Sequence, residues 1–173
     1  MSDIRLSTHG ESQVRRISPL LKEARIEHCY CSPLSRCRDT LRLLDLDCPV
    51  TFDEGVREID FGLWEGLSFD QVQRKYPDQA DRWATQHDDF TFPGGAHIGT
   101  FNLTIQQWFD VLLQTGHNRV LVVAHGGVLR TGLRHLLGVV GDKGFGMNLS
   151  EAAITKVSLH KGYPYLEKFN CRG

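Results

Sequence analysis

Two histidines followed by glycine are the residues of this chain best placed to do chemistry: His9-Gly10 and His125-Gly126. In the stretch I-R-L-S-T-H-G-E at positions 4–11, Ile4 and Leu6 alternate with Arg5 and Ser7, which predicts a short strand running into a His-Gly turn. Val120 to Ala124 is a continuous apolar run before His125-Gly126-Gly127, and it predicts a central parallel strand covered on both faces. Neighbouring strands running the same way bring both imidazoles to the carboxyl edge of the sheet, where open α/β folds bind ligands. Two histidines there could bind a metal, act as acid and base, or supply a nucleophile. The spacings diagnostic of metal sites, such as H-E-x-x-H, are absent. Gly126-Gly127 at a helix start presents backbone N–H groups, which favours an anion. Phosphate therefore suits this edge better than a cation.

Two further groups fit that chemistry. Arg36 follows Ser32-Pro33-Leu34-Ser35 at the top of another strand, and its planar fork matches two phosphate oxygens. Glu58 lies in Arg57-Glu58-Ile59-Asp60, where burial would raise its pKa and let it protonate a leaving alkoxide.

The elements that must position these groups alternate along the chain. Helices are expected over 13–24, with Pro19 a kink or a start, and over 35–46, 69–83 with a break at Pro77, 101–113 and 128–137. Strands are expected over 28–31, at Val50 and Phe52, over 120–124 and over 153–159. This alternation means an α/β fold, a three-layer α/β/α sandwich with a mostly parallel central sheet. At 173 residues a single domain over 1–173 is the natural reading. A formal net charge of −1 argues against a general nucleic-acid or membrane-surface binder. No apolar run is long enough to span a bilayer, and no signal segment is read at the start. The odd count of five cysteines, with no framework of spacings, predicts reduced thiols and a cytoplasmic protein.

The order of short motifs adds a resemblance. Thr8-His9-Gly10-Glu11, then Ser32-Pro33-Leu34-Ser35-Arg36 with Thr40, then Arg57-Glu58-Ile59-Asp60-Phe61-Gly62 with Trp64-Glu65-Gly66, then Pro93-Gly94-Gly95, then Val123-Ala124-His125-Gly126-Gly127-Val128 resemble the histidine phosphatase superfamily, the phosphoglycerate-mutase-like fold. The likeness is closest to its small phosphatase branch, which includes α-ribazole-phosphate and broad-specificity phosphatases. It implies that His9 is the nucleophile and forms a phosphohistidine. His125 would stabilise the transferring group, Arg36 clamp its oxygens and Glu58 donate the proton to the leaving group. Thr8, Gly10, Glu11 and Gly126 would complete the phosphate and substrate contacts. No metal and no other cofactor is implied.

The chain departs from the family in two places near His9. Thr8 stands where the family has Arg, and Thr brings neither charge nor fork, a loss of roughly 2–4 kcal/mol of transition-state stabilisation. The longer loop that usually follows the first His-Gly is absent, and Glu11-Ser12 runs directly into Gln13. Arg15 or Arg16 could supply the missing charge. After Pro93-Gly94-Gly95, Ala96-His97 replaces the usual Glu-Ser, and His97 reads as a surface position.

The expected activity is metal-independent hydrolysis of a small phosphomonoester, such as a sugar or nucleoside phosphate like α-ribazole phosphate, weakened by Thr8 and the short loop. A member of the fold that binds phosphate without turnover is the alternative, and a phosphoglycerate mutase is less favoured. The expected partner is the phosphorylated metabolite, with no nucleic acid and no membrane, and a homodimer is left open. The residues facing the leaving group are placed in 65–95, with Trp83, His87, Asp88, Asp89 and Phe90 among them.

Overall fold

The computed structural model describes residues 2–86, 89–140 and 147–172, so His87 and Asp88 lie outside the described residues. Its elements are α1 (Thr8–Glu23), β1 (His28–Cys31), α2 (Ser35–Leu44), β2 (Val50–Phe52), α3 (Phe69–Lys75), α4 (Pro77–Thr85), α5 (Ile98–Leu112), β3 (Val120–Val123), α6 (Gly126–Leu136), β4 (Ile154–His160) and β5 (Tyr163–Cys171). β1, β2 and β3 form a parallel sheet in the order β2-β1-β3, and β4 and β5 form a separate antiparallel hairpin.

The alternating faces of the strands build the layers. Cys29, Cys31 and Val123 turn to one side and pack with Val14, Ile17 and Leu21 of α1 and Leu44 of α2. Val122 and Ala124 turn to the other side and pack with Ile105 and Phe109 of α5 and Val128 of α6. The result is the expected α/β/α sandwich. A third cluster, built on Trp64, Phe90 and Phe92, holds α3 and α4 beside the segment that follows Glu58. All five cysteines are free thiols. Among the described residues no helix is long and apolar enough to cross a membrane.

Two expectations are corrected here. The strand expected at Ile4–Leu6 does not form. Ser7 is extended, with φ −76° and ψ 160°, and its hydroxyl accepts from the Gly10 N–H. That is an N-cap, and it starts α1 at Thr8 rather than at residue 13. Glu11 in the first turn and Lys22 in the last suit the helix dipole, and the helix passes through Pro19. The second correction concerns β3, which ends the sheet rather than sitting at its centre. Apolar cover on both faces is present, but among the described residues only β1 pairs with it.

The other boundaries follow local rules. Tyr76 precedes Pro77 and takes φ −138°, which separates α3 from α4. His97 starts α5 at residue 98, because its Nδ1 accepts from the Thr100 N–H at 3.1 Å. The replacement of Glu-Ser by Ala-His at this position thus keeps a capping acceptor.

Candidate functional site

Three of the residues singled out by chemistry converge at the carboxyl ends of β1 and β3. His125 follows β3 as the N-cap residue of α6, and it is only 6% exposed. Arg36 stands in the first turn of α2 and donates from Nε to His125 Nδ1 at 3.2 Å. Glu58 comes from the segment after β2 and accepts from Gly127 N–H at 3.2 Å and from its neighbour Ile59 N–H at 3.0 Å. These groups line one end of a cavity of about 630 Å³, which also runs along β3 between α1 and α6.

The first His-Gly lies differently. Thr8 and His9 occupy the exposed first turn of α1, and among the described residues no hydrogen bond or ion pair joins the His9 ring to His125, Arg36 or Glu58. Gly10 lines the cavity, and its N–H is held by Ser7. Glu11 is half-buried, and its N–H bonds to the Ser7 carbonyl. Gly126 is exposed at the cavity wall. The N–H of Gly127 is not available to an anion as expected, because Glu58 takes it. Arg15 and Arg16 are exposed on α1. The structure therefore brings His125, Arg36, Glu58 and Gly126 together and leaves the His9 side chain outside that group.

Sequence reasoning missed three participants. Ser32, fully buried at the end of β1, has its Oγ 2.7 Å from His125 Nε2. Cys37 places its sulfur 3.5 Å from Nε2 and 3.8 Å from Nδ1, against the ring. Asp3 accepts from both the N–H and the hydroxyl of Ser35, while the Ser2 carbonyl accepts from Arg36 Nη1 at 3.3 Å. Ser32 belongs to the motif already noted and Cys37 directly follows Arg36, so proximity in sequence was the available signal. Nothing local marked Asp3.

The electrostatics follow from burial and from nearby arginines, Arg36 first. Burial first, and then the charge of Arg36, hold the His125 imidazole down at about 4. Burial pushes the Glu58 carboxyl up, against the pull of the Ile59 and Gly127 N–H groups and of Arg36. Burial likewise pushes the Cys37 thiol up to about 11, so it sits as an inert thiol rather than a thiolate. Among the described residues no group of three or more His, Cys, Asp or Glu side chains is placed to hold a metal ion.

The depressed His125 value makes a stability prediction. The folded state resists protonating this ring, so its contribution is fully present above the unfolded value of 6.5 and is lost as pH falls toward about 4. Allowing for partial water access, about 2–3 kcal/mol is expected to disappear over that window. Glu58 acts in the opposite sense, since its raised pKa makes the protein lose stability as pH rises. Urea unfolding at pH 7 and at pH 4.5 checks the sign: His125→Asn is expected to lose less on acidification than wild type.

With this geometry in view, the comparisons with known proteins are decisive. A family model described as histidine phosphatase superfamily (branch 1) matches residues 1–172. The chain belongs to the histidine phosphatase superfamily. Among its relatives in the family is phosphoserine phosphatase 1 of Hydrogenobacter thermophilus, 25% identical over 168 residues, which are 95% of this chain and 80% of the relative. Another is the adenosylcobalamin/α-ribazole phosphatase of Escherichia coli, 22% identical over 170 residues, which are 96% of this chain and 84% of the relative. In fold the chain resembles the crystal structure of the α-ribazole phosphatase from Shigella flexneri, with a TM-score of 0.86 at 20% identity, over 98% of this chain and 85% of that one. The family's phosphatase members support phosphatase activity in general terms.

Proposed function

We propose that this chain hydrolyses a small phosphomonoester whose phosphoryl group sits between Arg36, His125 and the start of α6. The observation that carries the reading is the convergence of the Arg36 fork on His125, with the Glu58 carboxyl against the first turn of α6. Phosphoryl transfer is mostly positioning and charge stabilisation, and these groups offer both. Arg36 supplies a fixed cation, and Gly126 opens a helix whose N-terminus favours an anion. Glu58 is held by burial toward its protonated form, the state a general acid needs.

In the proposed reaction an imidazole nitrogen of His9 attacks phosphorus, the bond to the ester oxygen breaks, and that oxygen takes the Glu58 proton. Water then attacks the phosphohistidine, returns a proton to Glu58 and releases phosphate. His9 lies one turn before Gln13, which lines the cavity with Gly10, so the attacking ring stands on a helix that lines the cavity. Thr8 leaves that turn without a charged clamp, which supports slow turnover. The names of the relatives favour a small, polar leaving group, such as an amino acid or a nucleoside.

Reaction with a 32P-labelled phosphoester is expected to leave acid-labile, base-stable label on the peptide containing His9. Label on His125 instead would reassign the nucleophile. A panel of phosphoserine, α-ribazole phosphate, sugar phosphates and nucleoside monophosphates turned over no faster than by His9→Ala would overturn hydrolysis in favour of phosphate binding alone.

A further inference from the structure

We propose that Ser32 is the positioning residue for His125: its buried hydroxyl accepts the Nε2 hydrogen of a ring whose bare Nδ1 meets Arg36, and so holds that ring where the phosphoryl group is seated. This deepens the phosphatase reading and rests on it for the ring's role in turnover.

The argument starts from donors and acceptors. Arg36 Nε carries a hydrogen and has no lone pair to offer, so the His125 Nδ1 it meets at 3.2 Å must be an acceptor. A neutral ring with a bare Nδ1 holds its hydrogen on Nε2. That nitrogen faces Ser32 Oγ at 2.7 Å, and the hydroxyl oxygen accepts from it. The oxygen also receives the Leu34 N–H, at 3.4 Å. The Ser32 hydroxyl hydrogen is then left for Cys37, whose thiol it hydrogen-bonds.

Ser32 is itself held rigidly. Its N–H donates to the Val123 carbonyl at 2.9 Å, which continues the β1–β3 ladder by one residue. The hydroxyl therefore has a fixed address relative to the strand that delivers His125. With no exposed surface, Ser32 has no solvent to replace a lost partner. Alanine here would leave the buried ring N–H only the weak sulfur acceptor of Cys37, 3.5 Å away. The consequence for chemistry is directional. When a phosphoester anion draws Arg36 toward its own oxygens, Nδ1 is the nitrogen left facing the seat. It can take up a proton there and donate to a phosphoryl oxygen, while Ser32 keeps its hold on Nε2–H in both states.

The wild-type protein tests this directly. Long-range 1H–15N correlation NMR at neutral pH is expected to find the His125 hydrogen on Nε2 and a bare Nδ1. Ser32→Ala is expected to shift the ring's nitrogen resonances, since Nε2–H loses its hydroxyl partner, and to lower kcat roughly tenfold or more with KM little changed. Ser32→Thr, which keeps a hydroxyl, is expected to restore both. A wild-type ring protonated on Nδ1 overturns the proposal, and so does a Ser32→Ala ring with unchanged nitrogen shifts. The NMR readout needs no turnover. A chain with the Nε2–H ring but no hydrolysis would sink the phosphatase reading and leave the role of Ser32 in holding the ring standing.

Discussion

Arg36→Ala is expected to lower kcat/KM for a phosphomonoester by about a hundredfold to a thousandfold at neutral pH, or about 3–4 kcal/mol of transition-state stabilisation. Two effects add. The variant removes the cation whose Nε donates to His125. It also removes the donor to Nδ1, so the ring loses one of the hydrogen bonds that orient it. The loss should fall on both kcat and KM, because a guanidinium binds the ground-state phosphate as well as the transition state. Arg36→Lys is expected to recover only part of the rate, since an ammonium keeps the charge but not the fork or the reach of Nε. Steady-state kinetics on p-nitrophenyl phosphate, with circular dichroism to verify folding, check the result. Wild-type kcat/KM in Arg36→Ala would remove the proposed seat.

Gly132→Ala is expected to destabilise the fold strongly. Gly132 lies on the buried side of α6, where α5 crosses it. A Cβ there would come within 2.1 Å of Cε2 and 2.4 Å of Cζ of Phe109. Phe109 is 6% exposed and packed among Ile105, Val56 and Val128, so the ring can give way only toward the cavity it lines. Either the helices separate or the ring leaves its rotamer, at a cost of about 2–4 kcal/mol. A urea melt should show a lower midpoint at unchanged slope. Gly127→Ala makes a useful contrast. Its Cβ would meet Glu58 Oε1 at 2.4 Å, but that atom is the end of a side chain that can swing. Less stability should be lost there, and more of the effect should fall on the carboxyl's hydrogen bonds.

The site was legible where its residues are bound to strong local patterns. The run Val120-Leu121-Val122-Val123 admits little but a covered strand, and glycines after His125 mark the turn into α6. The Ser-Pro-Leu-Ser-Arg stretch ends β1 and opens α2, so Arg36 could be placed at the sheet edge before any coordinates. The start of the chain was not legible in the same way. Two apolar residues at Ile4 and Leu6 alternate as a strand does, but three residues carry too little pattern to separate a strand from the approach to a helix. The deciding signal was Ser7 with Glu11 four residues on, a cap followed by an acidic first turn, and Gly10 masked it by reading as a breaker. Strand order was not written locally either. Apolar cover on both faces says that β3 is sandwiched between helices and says nothing about how many neighbours it has in the plane.

β3 also has two unequal sides. The Val123 carbonyl faces β1 and accepts from Ser32, so by alternation the amide and carbonyl of Val122 face the other way, into the cavity, with no partner among the described residues. The backbone that delivers His125 is thus tied on one flank and open to the cavity on the other. Its freedom to breathe is one-sided: sideways, away from β1, and at the same end of the sheet where an incoming anion would need room.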